Sequence, residues 1–192
     1  MKETLNLAIR LFLITAVAGL LLGSVNSITA PIITAQEVAS LQEALKTTYP
    51  EAEEFVPLDE GKLTEIQGTY PNVTDVFTAK VGGNDDGYVY QVFGRGGYGG
   101  DILLVVGVNG ESNEILGYDV LQSSETPGLG TQIEEEPFVG SVIGKSVNEP
   151  LVSSQTPQAE NEIQAIAGTT ISVDAVLDGL NSVVEVNKAL SN

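Results

Sequence analysis

Hydrophobic and polar positions divide the chain into four regions. From Leu11 to Ile33 the sequence LFLITAVAGLLLGSVNSITAPII holds no charge over 23 residues. A membrane-spanning helix needs roughly 20 apolar residues at about 1.5 Å each. A cleaved signal peptide is the competing pattern, with an apolar core of about 7–15 residues that Leu11–Gly23 alone would fit. No A-x-A cleavage site follows, however. Pro31 leads instead into ITAQEVASLQEALKTTYP, amphipathic through Ile33, Val38, Leu41 and Leu45. The pattern predicts a cytoplasmic segment over 1–10, an uncleaved transmembrane helix over 11–33 and an amphipathic stem helix over 34–49. A folded domain is predicted over 50–192.

Within that domain, PEAEEFVPLDEGK is acidic and broken by prolines, and reads as a hinge. Strands follow. Val73–Val81 is rich in β-branched residues, and Gly87–Phe93 alternates with Tyr88, Tyr90 and Val92 on one face. Asp101–Val108 contains ILLVV, the near-continuous run of a buried strand. Ile115–Leu121 alternates again, with Leu116, Tyr118 and Val120 predicted inward. Asp86-Gly87 and Asn109-Gly110 read as hairpin turns. Short turns between consecutive strands imply an antiparallel sheet. At the C-terminus Val173, Val176, Leu177, Leu180, Val183, Val184 and Leu190 follow a 3.6-residue stripe, with Ser172 as candidate N-cap. The class predicted is α+β: one transmembrane helix, then an antiparallel-sheet domain ending in a helix.

Composition narrows the chemistry. The sequence has neither cysteine nor histidine. Disulfides, thiolate zinc sites, iron–sulfur ligation, imidazole metal ligands and Ser-His-Asp triads are therefore excluded. Against 26 Asp and Glu stand 8 Lys and Arg, a net charge of −18. Such a chain lacks the basic footprint that nucleic acid requires. Lys2, Arg10 and Glu3 give the first ten residues +1 and leave −19 for the rest. Positive charge before the apolar stretch puts the N-terminus in the cytoplasm and the acidic domain outside.

Three loops could carry a ligand. Gly94–Gly100 reads GRGGYGG, and eight glycines lie between Gly82 and Gly100. Glycine permits positive φ and close backbone approach, so the segment suits either a ligand loop or a plain hairpin tip. No GK[ST] follows, so it is not a P-loop. In SSETPGLGTQIEEE, Pro127-Gly128 is a tight-turn pair that would hold Leu129 rigidly, with Glu125 and Thr126 offering an acceptor and a hydroxyl. An ordinary strand-to-helix connection would look the same. Glu134, Glu135 and Glu136 suit a helix start better than a metal site. In IAGTTIS, Gly168 precedes Thr169, Thr170 and an amphipathic helix. A helix N-terminus is a phosphate seat, though the hydroxyls could simply cap it.

Those motifs together resemble the G subunit of the Rnf-type electron transport complexes and the related C subunit of the Na⁺-translocating NADH:quinone reductase, both of the FMN-binding domain family. The resemblance runs along nearly the whole chain. It rests on the anchor with its TAP step, GYGGDILLVVGVN, EILGYDVLQSSETPGLG and AGTTIS, in that order. It implies FMN esterified through its phosphate to Thr170, a reaction performed by a separate flavin transferase. Gly168 and Thr169 would allow its approach. Glu125, Thr126, Pro127, Gly128, Leu129 and Gly130, with Tyr98, would lie along the flavin ring. Set against the family's S-G-A-T, Ala167 and Thr169 depart from the pattern. Gln164 stands where many members have Asp, and Ser123-Ser124 where a His often stands. The implied role is an electron carrier in a single-pass inner-membrane protein. It would serve a complex that couples ferredoxin–NAD electron transfer to Na⁺ or H⁺ movement, beside other integral membrane and redox subunits. The chain has no nucleotide or iron–sulfur motif of its own and no catalytic residue is expected. A stand-alone flavoprotein shuttle and a non-redox anchored scaffold are the alternatives.

Overall fold

The computed structural model describes residues 2–190. Two compact units divide between Leu41 and Gln42. The first lies within α1, Lys2–Thr48, a single helix that continues through Pro31. It is long and apolar enough to cross a membrane, with a mean hydropathy of 2.2 in its most apolar stretch. The hydroxyls of Thr15, Ser24, Ser27, Thr29 and Thr34 each donate to a carbonyl three or four residues back. Polar groups satisfied within their own helix need no outside partner, as an apolar environment demands.

The second unit is built on a five-stranded antiparallel meander. Its strands are β1 (Glu54–Pro57), β2 (Val73–Val81), β3 (Asn84–Gly97), β4 (Gly100–Asn109) and β5 (Ile115–Gln122), adjacent in chain order. β4 sits second from the edge, and Ile102 through Val108 are all buried, which accounts for the uninterrupted apolar run. One face of the sheet packs on α4, Thr170–Leu190, along the predicted stripe. Val173, Val176, Leu180, Val183 and Val184 are buried against Tyr90, Val92, Leu104 and Val106. The helix can lie this close because β3 carries Gly94 beneath it. A Cβ there would overlap the Ala175 carbonyl oxygen.

Between β1 and β2 lies α2 (Glu60–Thr69), and between β5 and α4 lie α3 (Glu136–Val142) and two short parallel strands, β6 (Val152–Ser154) and β7 (Glu162–Gln164). Helix α3 starts within the glutamate run, with a proline in its first turn, where negative charge and proline are both favoured.

The structure corrects four local expectations. The proline-broken acidic segment is no hinge: Glu54–Pro57 is an edge strand on β2, and Asp59 caps α2 by accepting from Gly61 and Lys62. Proline is tolerated there because an edge strand can spare a donor. The β2–β3 turn is made by Gly82-Gly83, both at positive φ, and Asp86-Gly87 lies within β3. A bulge between β4 and β5 pairs Ile115 with Val108 and Gly117 with Gly107, so Ile115, not Leu116, enters the core beside Tyr118 and Val120. The fourth concerns Ser172, which is not the N-cap: α4 begins two residues earlier.

Candidate functional site

Three loops converge at the N-terminal end of α4. The first is the β3–β4 hairpin tip, closed by pairing of Gly97 with Gly100, which presents Tyr98 with 74% of its surface exposed. The second follows β5. Pro127 and Gly128 occupy the centre of a turn in which the Leu129 N–H donates to the Thr126 carbonyl at 3.1 Å, and Gly128 has φ +73°. Proline at the second position and a positive φ at the third make this a type II turn. Thr131 Oγ1 accepts from the Gly128 N–H at 2.9 Å and braces it. The third loop is Gly168, at φ +81°, with Thr169 and the first turn of α4.

Together they line a cavity of about 430 Å³ walled by Tyr98, Glu125, Thr126, Leu129, Gly130 and residues 168–172. Eight of the ten residues singled out in the sequence meet here. Pro127 and Gly128 do not line it; they face solvent and shape the turn behind Leu129. Ile171 and Ser172 line it in addition. The sequence offered for Ile171 only an apolar residue directly after a candidate acceptor; its exposure is a finding of the structure.

The two threonines differ sharply. Thr169 is buried, and its hydroxyl donates to the Leu129 carbonyl at 3.2 Å. Thr170 is exposed on the first turn of α4. Among the described residues no group accepts from the N–H of Thr170, Ile171 or Ser172; the first bond into the helix is Val173 N–H to Thr169. Three free donors and the positive end of a 21-residue helix therefore face the cavity.

Glu125 is buried, and both of its carboxylate oxygens are taken. Oε1 accepts from the Gly99 N–H at 2.9 Å, and Oε2 from the Ser172 hydroxyl at 2.7 Å. Gln164 is also engaged: its amide donates to the carbonyls of Gln155 and Ala165. Glu134 ends the short 3-10 turn Gly130–Glu134. Burial, and then the charge of Asp119, pushes its carboxyl above the usual range. Among the described residues, no three His, Cys, Asp or Glu side chains are arranged to hold a metal ion.

Residues 97–185, which contain the whole cavity, match the FMN-binding domain family. The chain is 34% identical to the G subunit of the Na(+)-translocating ferredoxin:NAD(+) oxidoreductase complex of Acetobacterium woodii, over 99% of this chain and 94% of that protein. It is 31% identical to the G subunit of the ion-translocating oxidoreductase complex of Methanosarcina acetivorans, over 96% and 94% respectively. The fold is similar to that of the C subunit of the Na(+)-translocating NADH-quinone reductase of Parabacteroides distasonis, with a TM-score of 0.58 and 21% identity over 79% of this chain and 92% of that one. The chain belongs to the G-subunit family of ion-translocating oxidoreductase complexes.

Proposed function

We propose that this protein is a flavin electron carrier whose FMN is esterified to Thr170. The observation that carries the reading is the contrast at the head of α4. An exposed threonine hydroxyl stands beside three unpaired backbone donors, while its neighbour Thr169 is buried and bonded. The donor set suits a phosphate. The lining of Tyr98, Leu129 and Ile171 suits a flat aromatic ring, and about 430 Å³ lies in the usual range for small-molecule sites. Bound there, FMN would supply the redox chemistry, and the protein its position and electrostatic setting.

In the attachment, Thr170 Oγ1 would form the new bond to the flavin phosphorus of a flavin dinucleotide donor as the P–O bond of its pyrophosphate breaks, with the hydroxyl proton lost and a nucleoside monophosphate leaving. The chain gains one FMN less water. Catalysis falls to a flavin transferase. A covalent link also answers the charge problem, since a portion at −19 repels free anionic FMN. Electrons would pass between ferredoxin and NAD through the complex, coupled to movement of Na⁺ or H⁺, with this protein as a relay beside other membrane and redox subunits. Helix α1 would be a single-pass anchor in the inner membrane, spanning at 11–33, and the stem proposed over 34–49 would be its continuation to Thr48. Residues 50–192 would lie on the extracytoplasmic side.

Intact-protein mass spectrometry after co-expression with the flavin transferase tests the attachment. Thr169→Ala keeps the adduct and Thr170→Ala loses it. The reverse outcome moves the acceptor by one residue, and a parent chain without adduct ends the flavin reading.

A further inference from the structure

The cavity depends on a residue of its wall whose two hydrogen bonds both go to the protein frame. Glu125 is only 6% exposed. Its two oxygens reach elements distant in sequence: Gly99 at the hairpin tip, 26 residues away, and Ser172 in α4, 47 residues away. Neither ion pair among the described residues involves it; neutral donors alone hold the carboxylate. The surrounding backbone is cut to fit. A Cβ at Gly130 would overlap Oε2, and one at Gly97 would come within 2.7 Å of Oε1. The Glu125 N–H is itself held by Ser123 Oγ at 3.1 Å.

A buried carboxylate with two well-formed bonds is a rigid connection, and losing it strands both donors. Here the connected parts are the tip that carries Tyr98, the loop that carries Leu129, and the turn that carries Thr170. We propose that Glu125 is the positioning residue of the pocket, a two-acceptor clamp that sets the hairpin tip and the first turn of α4 at the separation a flavin requires. The inference rests on the flavin reading above. Glu125 acts through Gly99 and Ser172, not by contact with the ring.

The clamp makes a distinction that charge alone would not, and Ser172→Ala separates it from bulk. In Glu125→Gln the amide oxygen still accepts from Gly99, and the amide nitrogen donates to Ser172, whose hydroxyl rotates to accept. Glu125→Asp is one methylene short and cannot serve both ends. Glu125→Ala serves neither.

The full-length chain and its variants are co-expressed with the flavin transferase, and the fraction carrying the adduct is read by intact mass. Circular dichroism checks the fold. Hydrogen exchange of the 96–101 segment reads the clamp independently of any flavin. Glu125→Gln should stay within about twofold of the parent, whereas Glu125→Ala and Glu125→Asp should fall by about tenfold or more, the scale of a lost hydrogen bond to a charged group. Exchange of 96–101 should accelerate in the same two variants. Adding Ser172→Ala to Glu125→Ala should lower the fraction no further. Parent-like occupancy and exchange in Glu125→Ala would overturn the proposal, as would an equal loss in Gln and Ala. If Glu125→Ala fails to fold, Ser172→Ala decides, since it removes one arm and little volume: unchanged occupancy there overturns the clamp. A parent without adduct removes the flavin reading, while slow exchange in the parent and fast exchange in Glu125→Ala would still show the clamp.

Discussion

The phenol of Tyr90 on β3 donates to Asn187 Oδ1 on α4 at 2.8 Å, in a part of the core where both residues are buried. Asn187 in turn donates to Asn113 Oδ1 at 2.9 Å, so one amide joins strand, helix and turn. Asn113 is at φ +56°, a conformation asparagine tolerates better than most residues. Tyr90→Phe keeps the ring and removes the donor, leaving the Asn187 oxygen buried and unpaired. The expected cost is about 1–3 kcal/mol, measured by denaturant unfolding of the detergent-solubilised chain. A difference below about 0.5 kcal/mol, the range of an ordinary surface change, would mean that water replaces the phenol.

Leu129 tests the loop. It is 45% exposed on a braced type II turn and lines the cavity. Leu129→Asp places a carboxylate against the ring position without touching Thr170. The expected result is an unchanged mass adduct with a shifted flavin absorbance and a lower reduction potential. An unaltered spectrum and potential would assign the loop to folding or docking.

Asp75, half-buried on β2, has its carboxyl raised above the usual range by burial. The folded state thus holds its proton to higher pH than the unfolded state does. Below the unfolded pKa both states are protonated and the group costs nothing. As pH rises from the unfolded value to the raised folded value the penalty accumulates, and above that it stays. Asp75→Asn should therefore melt above the parent at pH 7, with the gap closing on acidification below the ordinary carboxylate range near pH 4. A gap independent of pH would place its origin elsewhere.

The proposed sidedness rests on Lys2 and Arg10 preceding the uncharged stretch. Protease added to right-side-out vesicles should remove residues 50–192. Their protection until lysis would reverse the orientation.

The parts of this fold that sequence revealed are those set by near neighbours. Val73–Val81 is a strand to the residue because its β-branched run meets glycine at Gly82. The α4 stripe is legible because each position repeats within one or two turns. Pro127-Gly128 announces its own turn. What escaped was decided at a distance. Ser172 has the chemistry of a cap, but its hydroxyl goes to a carboxylate 47 residues upstream, which no local pattern contains. Leu116 and Ile115 are equally apolar, and only a bulge in the β4–β5 register chooses between them. β1 was hidden because Pro57 and the surrounding glutamates look like a linker, and only pairing with β2 makes them a strand. In the candidate site, Tyr98 and the loops were visible as motifs. The fact that Thr169 turns inward to Leu129 while Thr170 faces out was not.

The sheet is a meander in chain order, whereas the helix that covers it comes last. Hairpins of this kind pair early, since each closes a short loop. On a growing chain Val92, Leu104 and Val106 therefore remain uncovered until the final 21-residue helix is made. Exposed apolar surface of this sort is what makes partly folded chains aggregate. Loss of even the last few turns of α4 should be a lesion of biogenesis before it is one of electron transfer. Thr170 belongs to that same late segment. The pocket comes into being with the closing of the core, so on the proposed attachment a flavin transferase would meet its substrate only as a finished domain.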